Sequence, residues 1–149
     1  MLISATSKPI NILLVEDSPT DILMTREAFA DVGIQADFRV AEDGVEAMTL
    51  LRQVGGQLPD LILLDLNLPR KNGREVLAEV KTDLSLRAIP VVILTTSQAD
   101  DDINIAYNLQ ANCYVVKPVD FVHFSEAMGK ILDFWFTVAT LRPRLSHAQ

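Results

Sequence analysis

Short apolar runs alternate with amphipathic stretches along the chain, and this pattern predicts alternating strands and helices. The clearest run is Leu61–Leu64, which is bounded by Pro59 and Pro69. A continuous short apolar run between turn residues is typical of a strand that is buried on both faces. Comparable runs predict four further strands, at Ile10–Val15, Asp37–Ala41, Val91–Leu94 and Tyr114–Val116.

A stretch with helical spacing follows each predicted strand. The first begins after Ser18, a typical N-cap residue, with Pro19 at its first helical position, and Gly33 is a suitable stop. The second is predicted to end near Gly55, and the others cover about 73–81, 98–110 and 120–136. Five strands alternating with five helices favour a parallel sheet with right-handed crossovers.

The length of 149 residues fits one domain, with a core at about 10–137 and a C-terminal tail at 138–149. An apolar fraction of 49% argues against disorder, and no apolar run is long enough to cross a membrane. The net charge of −7 disfavours binding to nucleic acid or to an anionic membrane. A single cysteine, Cys113, and the lack of a signal-peptide pattern predict a reduced, cytoplasmic protein.

Polar residues of complementary types stand at the ends of four predicted strands. They are Glu16 and Asp17 after the first, Asp65 after the third, Thr95 after the fourth and Lys117 after the fifth. Because the carboxyl ends of parallel strands meet at one edge of a sheet, we expect these side chains to converge. Thr96 and Ser97 offer hydroxyl groups beside Thr95, so the choice of Thr95 among the three is open.

Three carboxylates at one place repel each other unless a cation lies among them. Mg²⁺ prefers oxygen ligands and keeps several waters, so two or three carboxylates are enough to hold it. With that charge neutralised, one carboxylate can attack a phosphorus atom and form an acyl phosphate. Lys117 can pair with the phosphoryl oxygens, and Thr95 can donate its hydroxyl to another.

This ordered set of motifs resembles the receiver domain of two-component response regulators. The resemblance covers about 11–136 and rests on Glu16-Asp17, on the segment Asp65-Leu66-Asn67-Leu68-Pro69 with Gly73, on Thr95, and on Lys117-Pro118. It implies a flavodoxin-like (βα)5 fold, a doubly wound parallel sheet with strand order 2-1-3-4-5.

The resemblance also implies a function and its residues. A histidine kinase would phosphorylate Asp65, and Thr95 and Tyr114 would act as switch residues. The peptide bond between Lys117 and Pro118 would be cis. The implied ligands of Mg²⁺ are Glu16, Asp17, Asp65 and the backbone carbonyl of Asn67.

A closer resemblance is to the stand-alone response regulators that partner phytochrome histidine kinases in photosynthetic bacteria. It rests on three segments, Pro90–Ser97, Phe134-Trp135-Phe136 and Thr140-Leu141. It implies a phytochrome as the kinase partner.

These features predict a signalling protein that is not a metabolic enzyme. The short stretch after the last predicted helix leaves no room for a DNA-binding module, so we expect the signal to leave through protein–protein contact. The alternative is a magnesium-dependent phosphohydrolase with an aspartate nucleophile. Such enzymes carry a motif similar to Asp-x-Asp-x-Thr, in which the first Asp is the nucleophile. This chain has Asn67 in place of the second Asp and Pro69 in place of the Thr. A binding module that is never phosphorylated is a third reading.

The last helix carries more apolar residues than one core-facing stripe needs. That stripe is predicted to be Phe121, Phe124, Met128, Ile131 and Trp135. Val122, Leu132 and Phe136 lie off it, which predicts a homodimer through this helix. The alternative is that the tail from Val138 folds back over them.

Overall fold

The computed structural model describes residues 9–53 and 55–143, and five parallel strands form its central sheet. The strands are β1 (Ile10–Val15), β2 (Ala36–Ala41), β3 (Leu61–Leu64), β4 (Val91–Thr95) and β5 (Cys113–Val116). Their order is β2-β1-β3-β4-β5, and every neighbouring pair is parallel. The predicted flavodoxin-like α/β fold is therefore confirmed.

The helices alternate with the strands as predicted, although two are shorter than the pattern indicated. They are α1 (Pro19–Asp31), α2 (Gly44–Leu51), α3 (Gly73–Thr82), α4 (Asp100–Asn108) and α5 (Phe121–Asp133). A π-helical segment, Phe134–Val138, continues α5. Helix α2 ends at Leu51, before the glycines at 55 and 56. Helix α4 begins later and ends earlier than the predicted range of 98–110.

Side-chain caps fix where four of the helices begin. In each, the residue before the helix accepts a hydrogen bond from the backbone amide three positions later, which satisfies one of the free amides of the first turn. The cap residues are Ser18, Asp43, Asn72 and Asp120. These bonds set the first residue of α1, α2, α3 and α5.

Apolar side chains pack on both faces of the sheet. Helices α2, α3 and α4 cover one face, and α1 and α5 cover the other, where Phe29 and Phe124 are buried. All four residues of β3 are buried, as the unbroken apolar run predicted. This rigid, two-sided core holds the carboxyl ends of the strands in fixed positions.

The buried stripe of α5 differs from the predicted one. Phe124, Met128 and Leu132 follow each other at intervals of four and are fully buried, and Leu132 is 0% exposed. The expectation that Leu132 lies off the core-facing stripe is therefore wrong. Phe136 is half-buried against the same core, and Val122 is 64% exposed. Of the three residues assigned to a dimer interface, Val122 alone presents a largely free side chain.

The segment after α5 returns toward the sheet. A guanidinium nitrogen of Arg142, Nη2, donates to the carbonyl oxygen of Pro59 at 3.3 Å. Residues 139–143 therefore approach the chain just before β3, and the predicted tail beyond Pro143 lies outside the described residues. Among the helices of the described ranges, none has the length and apolar character to span a membrane.

Candidate functional site

The backbone ladder brings the polar strand ends to one edge of the sheet. The amide of Asp65 donates to the carbonyl oxygen of Val15 at 3.0 Å, which places Asp65 beside the end of β1. The amide of Lys117 donates to the carbonyl oxygen of Thr95 at 2.7 Å, which places Lys117 beside the end of β4. Residues far apart in sequence thus meet because their strands are neighbours.

Three carboxylates form the centre of this edge. Glu16, Asp17 and Asp65 each offer one oxygen, and these atoms all lie within 4.8 Å of one another. Glu16 is 3% exposed and Asp65 is 7% exposed, whereas Asp17 faces solvent. An all-oxygen donor set with one solvent-facing member fits a hard cation such as Mg²⁺, which retains water ligands.

Lys117 lies against the same carboxylates. Its Nζ donates to Glu16 Oε1 at 2.5 Å, to Asp21 Oδ2 at 2.7 Å and to Asp65 Oδ2 at 3.1 Å. The structure thus brings together the predicted Glu16, Asp65 and Lys117. Asp21 belongs to the group as well, and the sequence interpretation missed it.

A signal for Asp21 exists in the sequence. Asp21 follows Asp17 by four positions, and both residues flank the Ser18 cap at the start of α1. Asp21 lies in the first turn of α1, which begins at the edge of the sheet that carries Asp17, so its side chain stays close to that edge.

Burial and the lysine shift the protonation of the buried groups. Burial raises the pKa of Glu16 to about 7, although the hydrogen bond from Lys117 opposes this shift. Burial alone would lower the pKa of Lys117, but its hydrogen bonds to Asp21 and Glu16, together with the charges of Glu16 and Asp65, raise it above the ordinary value. Lys117 is therefore charged at neutral pH. With no cation bound, the Glu16 carboxyl group titrates near that pH.

Both oxygens of Asp65 have a donor. Oδ1 accepts a hydrogen bond of 3.1 Å from the amide of Asn67, and Oδ2 accepts the bond from Lys117. The peptide of Asn67 thus lies beside the carboxylate. The role of the Asn67 carbonyl as a metal ligand stays a prediction.

Gly73 permits the close approach of α3 to Asp65. A Cβ atom at this position would lie 2.2 Å from the carbonyl oxygen of Asp65 and 2.6 Å from Cα of Leu66. The amide of Gly73 donates to the carbonyl oxygen of Leu66 at 3.0 Å. The glycine is therefore required by contact with the backbone that carries Asp65.

Thr95 differs from the two hydroxyl residues that follow it. It is fully buried, and its Oγ1 has no hydrogen-bond partner among the described residues. Thr96 is exposed, and the Ser97 hydroxyl donates to Asp102 Oδ2 at 2.5 Å. Thr95 thus has a buried hydroxyl at the end of β4 that is available to donate a hydrogen bond to a ligand oxygen.

Tyr114 lies next to the loop that follows β4. Its hydroxyl donates to the carbonyl oxygen of Ser97 at 3.0 Å, and its side chain is half-buried. Asp102 in the first turn of α4 also pairs with Arg74 of α3. The loop between Thr95 and α4 is therefore bonded directly to β5 and α4, and through Asp102 it is linked to α3.

The expected cis peptide bond is wrong. No peptide bond in residues 9–53 or 55–143 is cis, so Lys117 and Pro118 are joined in trans. The trans isomer is the more stable form of an X–Pro bond by about 0.5–1 kcal/mol. Lys117 reaches the carboxylates from this trans backbone.

Comparison with protein families gives a match over most of the chain. Residues 12–128 match the model of the response regulator receiver domain. The response regulator Rcp1 of Synechocystis sp. (strain ATCC 27184 / PCC 6803 / Kazusa) is 42% identical over 140 residues. That alignment covers 91% of this chain and 95% of Rcp1.

Solved structures give the same result. The phosphorylated cyanobacterial phytochrome response regulator RcpA has 45% identity and a TM-score of 0.87, and the match covers 91% of this chain and 100% of RcpA. The Mn²⁺-bound form of Rcp1 has 42% identity and a TM-score of 0.86, with the same two coverages.

Proposed function

This chain belongs to the response regulator receiver domain family, and on that premise we propose that Asp65 accepts a phosphoryl group from a histidine kinase. The observation that carries the proposal is the contact of 3.1 Å between Lys117 Nζ and Asp65 Oδ2, within a group of three carboxylates. A nucleophile, a fixed positive charge and an oxygen-rich cation site are then in one place.

The reaction uses the side chains of this edge directly. A carboxylate oxygen of Asp65 attacks the phosphorus of a phosphohistidine, and the P–N bond breaks as the new P–O bond forms. The leaving imidazole keeps the electron pair of the broken bond. Lys117 is charged at neutral pH and holds a phosphoryl oxygen by a charge-assisted hydrogen bond.

The three carboxylates fit Mg²⁺, which would neutralise phosphoryl charge when bound. The proposed ligands are Glu16, Asp17, Asp65 and the backbone carbonyl of Asn67. Family membership makes the chain a signalling protein that is not a metabolic enzyme.

We extend the proposal to the response of the loop after β4. The phosphoryl group draws the unpaired hydroxyl of Thr95 toward it, and Tyr114 moves into the space that Thr95 leaves. Moving a two-state equilibrium from 1:99 to 99:1 takes about 5.5 kcal/mol, whereas one hydrogen bond to a charged group contributes about 1.5–3 kcal/mol. Thr95 alone is too little, so Lys117 contributes as well.

The proposed partner is a phytochrome histidine kinase. Support comes from the similarity to RcpA, which is described as a phytochrome response regulator. The chain would act as a single receiver domain in the cytoplasm and pass its signal on by protein–protein contact.

A homodimer through α5 is also part of the proposal. Leu132 is excluded from the interface because it is buried in the core. The revised interface begins with the exposed side chains of Phe121 and Val122 in the first turn of α5. Phe136 contributes only the part of its ring that the core leaves free.

The experiment is phosphorylation with acetyl phosphate and Mg²⁺, followed by intact mass measurement. Wild type and the control Asp31→Asn, an exposed residue at the far end of α1, should gain one phosphoryl group. Asp65→Asn keeps the shape of the side chain and should gain none. Labelling of Asp65→Asn at the wild-type rate would refute the assignment, and rapid multiple turnover of the donor would favour a phosphohydrolase.

A further inference from the structure

We propose that Asp21 is a positioning residue that holds Lys117 away from the nucleophilic oxygen of Asp65. The inference rests on the proposed function, because it concerns the reactivity of Asp65 as phosphoacceptor. Asp21 would act through Lys117 and would contact neither the phosphoryl group nor the cation.

The three contacts of Lys117 are unequal. An ammonium group has three N–H donors, and here each one reaches a different carboxylate. Bonds from an ammonium to a carboxylate are typically about 2.7–2.9 Å. The contact with Asp21 is 2.7 Å, whereas the contact with Asp65 is 3.1 Å. The ammonium is thus drawn toward Asp21 and Glu16 and lies farthest from Asp65.

Asp21 is the carboxylate partner of Lys117 that does not belong to the possible cation site. Glu16 and Asp65 belong to the group of carboxylates whose oxygens can hold a cation, and Asp21 does not. When Glu16 and Asp65 turn toward a cation or a phosphoryl group, Asp21 is the anchor that remains. A residue with this single role is suited to keep the lysine in one place throughout the reaction.

The backbone of Asp21 is fixed on both sides. Its amide donates to Oγ of Ser18 at 3.3 Å, and its carbonyl oxygen accepts from Oγ1 of Thr25 at 2.8 Å. Thr25 is buried, and its own position is set by the packing of α1. The backbone that carries the Asp21 carboxylate is therefore fixed in the first turn of α1, within reach of Lys117.

Loss of the Asp21 charge would weaken the hydrogen bond from Lys117, because a neutral amide oxygen accepts less strongly than a carboxylate. The stronger acceptors are then the oxygens of Glu16 and Asp65, so the ammonium moves closer to Asp65. A carboxylate oxygen that is paired more tightly with a cation is a poorer nucleophile and a poorer metal ligand. Asp21→Asn should therefore slow phosphorylation of Asp65 about fivefold and weaken Mg²⁺ binding by a similar factor, as couplings between contacting groups imply.

The direction of the change in labelling rate distinguishes a positioning role of Asp21 from a simple effect of its charge. Acetyl phosphate is an anion, so removal of a negative charge from the site would by itself speed the reaction. Asp100→Asn is the matched control for charge, because Asp100 is an exposed acid in the first turn of α4. This control should leave the rate and the Mg²⁺ affinity almost unchanged.

The decisive test is a double-mutant cycle of Asp21→Asn with Lys117→Met, measured by calorimetric Mg²⁺ titration and by the rate of labelling with acetyl phosphate. If Asp21 acts through Lys117, Asp21→Asn should have no further effect in the Lys117→Met background. A crystal structure of metal-free Asp21→Asn should also show the distance between Lys117 Nζ and Asp65 Oδ2 below 3.1 Å.

Equal effects of Asp21→Asn in both backgrounds, or faster labelling in the wild-type background, would overturn the proposal. The Mg²⁺ titration decides the matter even if Lys117→Met cannot be labelled. A wild-type protein that binds Mg²⁺ but never gains a phosphoryl group would refute the proposed function and leave the Mg²⁺ cycle interpretable.

Discussion

The hydroxyl of Tyr114 donates a hydrogen bond of 3.0 Å to the carbonyl oxygen of Ser97, and this bond ties β5 to the loop after β4. Ser97 is two positions beyond Thr95, whose buried hydroxyl has no partner among the described residues. We therefore expect a movement of Thr95 toward a phosphoryl group to affect this bond.

Tyr114→Phe should destabilise the protein by about 0.5–1.5 kcal/mol, because it removes one hydrogen bond from a half-buried site. The backbone amide resonances near Ser97 should shift, while labelling of Asp65 by acetyl phosphate stays intact. Urea unfolding and amide NMR spectra check these outcomes.

Tyr107→Phe is the matched control for that variant. The hydroxyl of Tyr107 accepts a hydrogen bond of 3.1 Å from the amide of Tyr114, so its loss also removes one bond between a hydroxyl and the backbone. It should leave the resonances near Ser97 unchanged. Indistinguishable spectra for the two variants in this region would contradict the role given to Tyr114.

Glu16 should make the stability of the metal-free protein depend on pH. Its pKa is raised from 4.5 to about 7 in the folded state, so the folded protein binds one more proton than the unfolded chain between these values. Stability from this group is therefore present below about pH 4.5 and is lost as the pH rises toward 7.

Glu16→Gln removes this titration. The free energy of unfolding of wild type relative to Glu16→Gln should fall by on the order of 1–3 kcal/mol from pH 5 to pH 8. Urea unfolding in the presence of a chelator measures it. The control is Glu27→Gln, an exposed acid in the middle of α1, which should follow wild type. Parallel curves for wild type and Glu16→Gln would show that Glu16 is charged throughout this range.

Gly73→Ala should damage the site through the backbone of Asp65. The new Cβ would lie 2.2 Å from the carbonyl oxygen of Asp65, so α3 or the segment after β3 must move. Overpacking of this kind costs about 1–3 kcal/mol, and we expect weaker Mg²⁺ binding and slower labelling of Asp65 as well.

Gly129→Ala is the control that distinguishes the steric clash at Gly73 from the general effect of replacing a glycine with alanine. Its Cβ would meet Cγ1 of Val32 at 3.6 Å, an ordinary contact distance, and it lies inside α5. Replacing this helical glycine should leave the protein as stable or up to about 1 kcal/mol more stable. Equal losses of Mg²⁺ affinity in both variants would contradict the role given to Gly73.

The sequence predicts the sheet and most of the site for one physical reason. A parallel strand buried on both faces needs an unbroken apolar run, so the first polar residue after the run marks the edge of the sheet. This argument predicts Asp65 after the fully buried β3, and the shorter apolar run of the half-buried β5 predicts Lys117; the structure places the two side chains in contact. The order of the strands came from the resemblance to a family, because periodicity does not specify which strands pair.

Two features escaped the sequence interpretation because they depend on tertiary contacts. The position of Asp21 in the first turn of α1 can be recognised in the sequence, but its pairing with Lys117 spans 96 positions, and no sequence pattern specifies that partner. On α5, both the predicted stripe and the observed one satisfy helical spacing. Packing against apolar side chains of α1 such as Phe29 decides which stripe is buried, and it is the one that ends at Leu132.

The exposed apolar side chains of α5 predict a homodimer that Val122→Asp should weaken. Burying a side chain such as Val122 contributes about 1.5–3 kcal/mol, whereas association costs at least about 4 kcal/mol. A twofold interface uses the same patch on both copies, so Val122 and Phe121 are each buried twice. Together they allow a dimer of micromolar affinity only if neighbouring residues such as Phe136 join the interface.

Sedimentation of the protein at about tens of micromolar tests this dimer. Val122 is 64% exposed, so Val122→Asp should shift the protein toward monomer without loss of stability or of Asp65 labelling. Leu84→Asp is the matched control, because Leu84 is also largely exposed but lies after α3, on the opposite face of the sheet from α5. It should sediment as wild type does. A wild-type protein that is wholly monomeric at this concentration, with and without acetyl phosphate, would show that α5 is not a dimer interface.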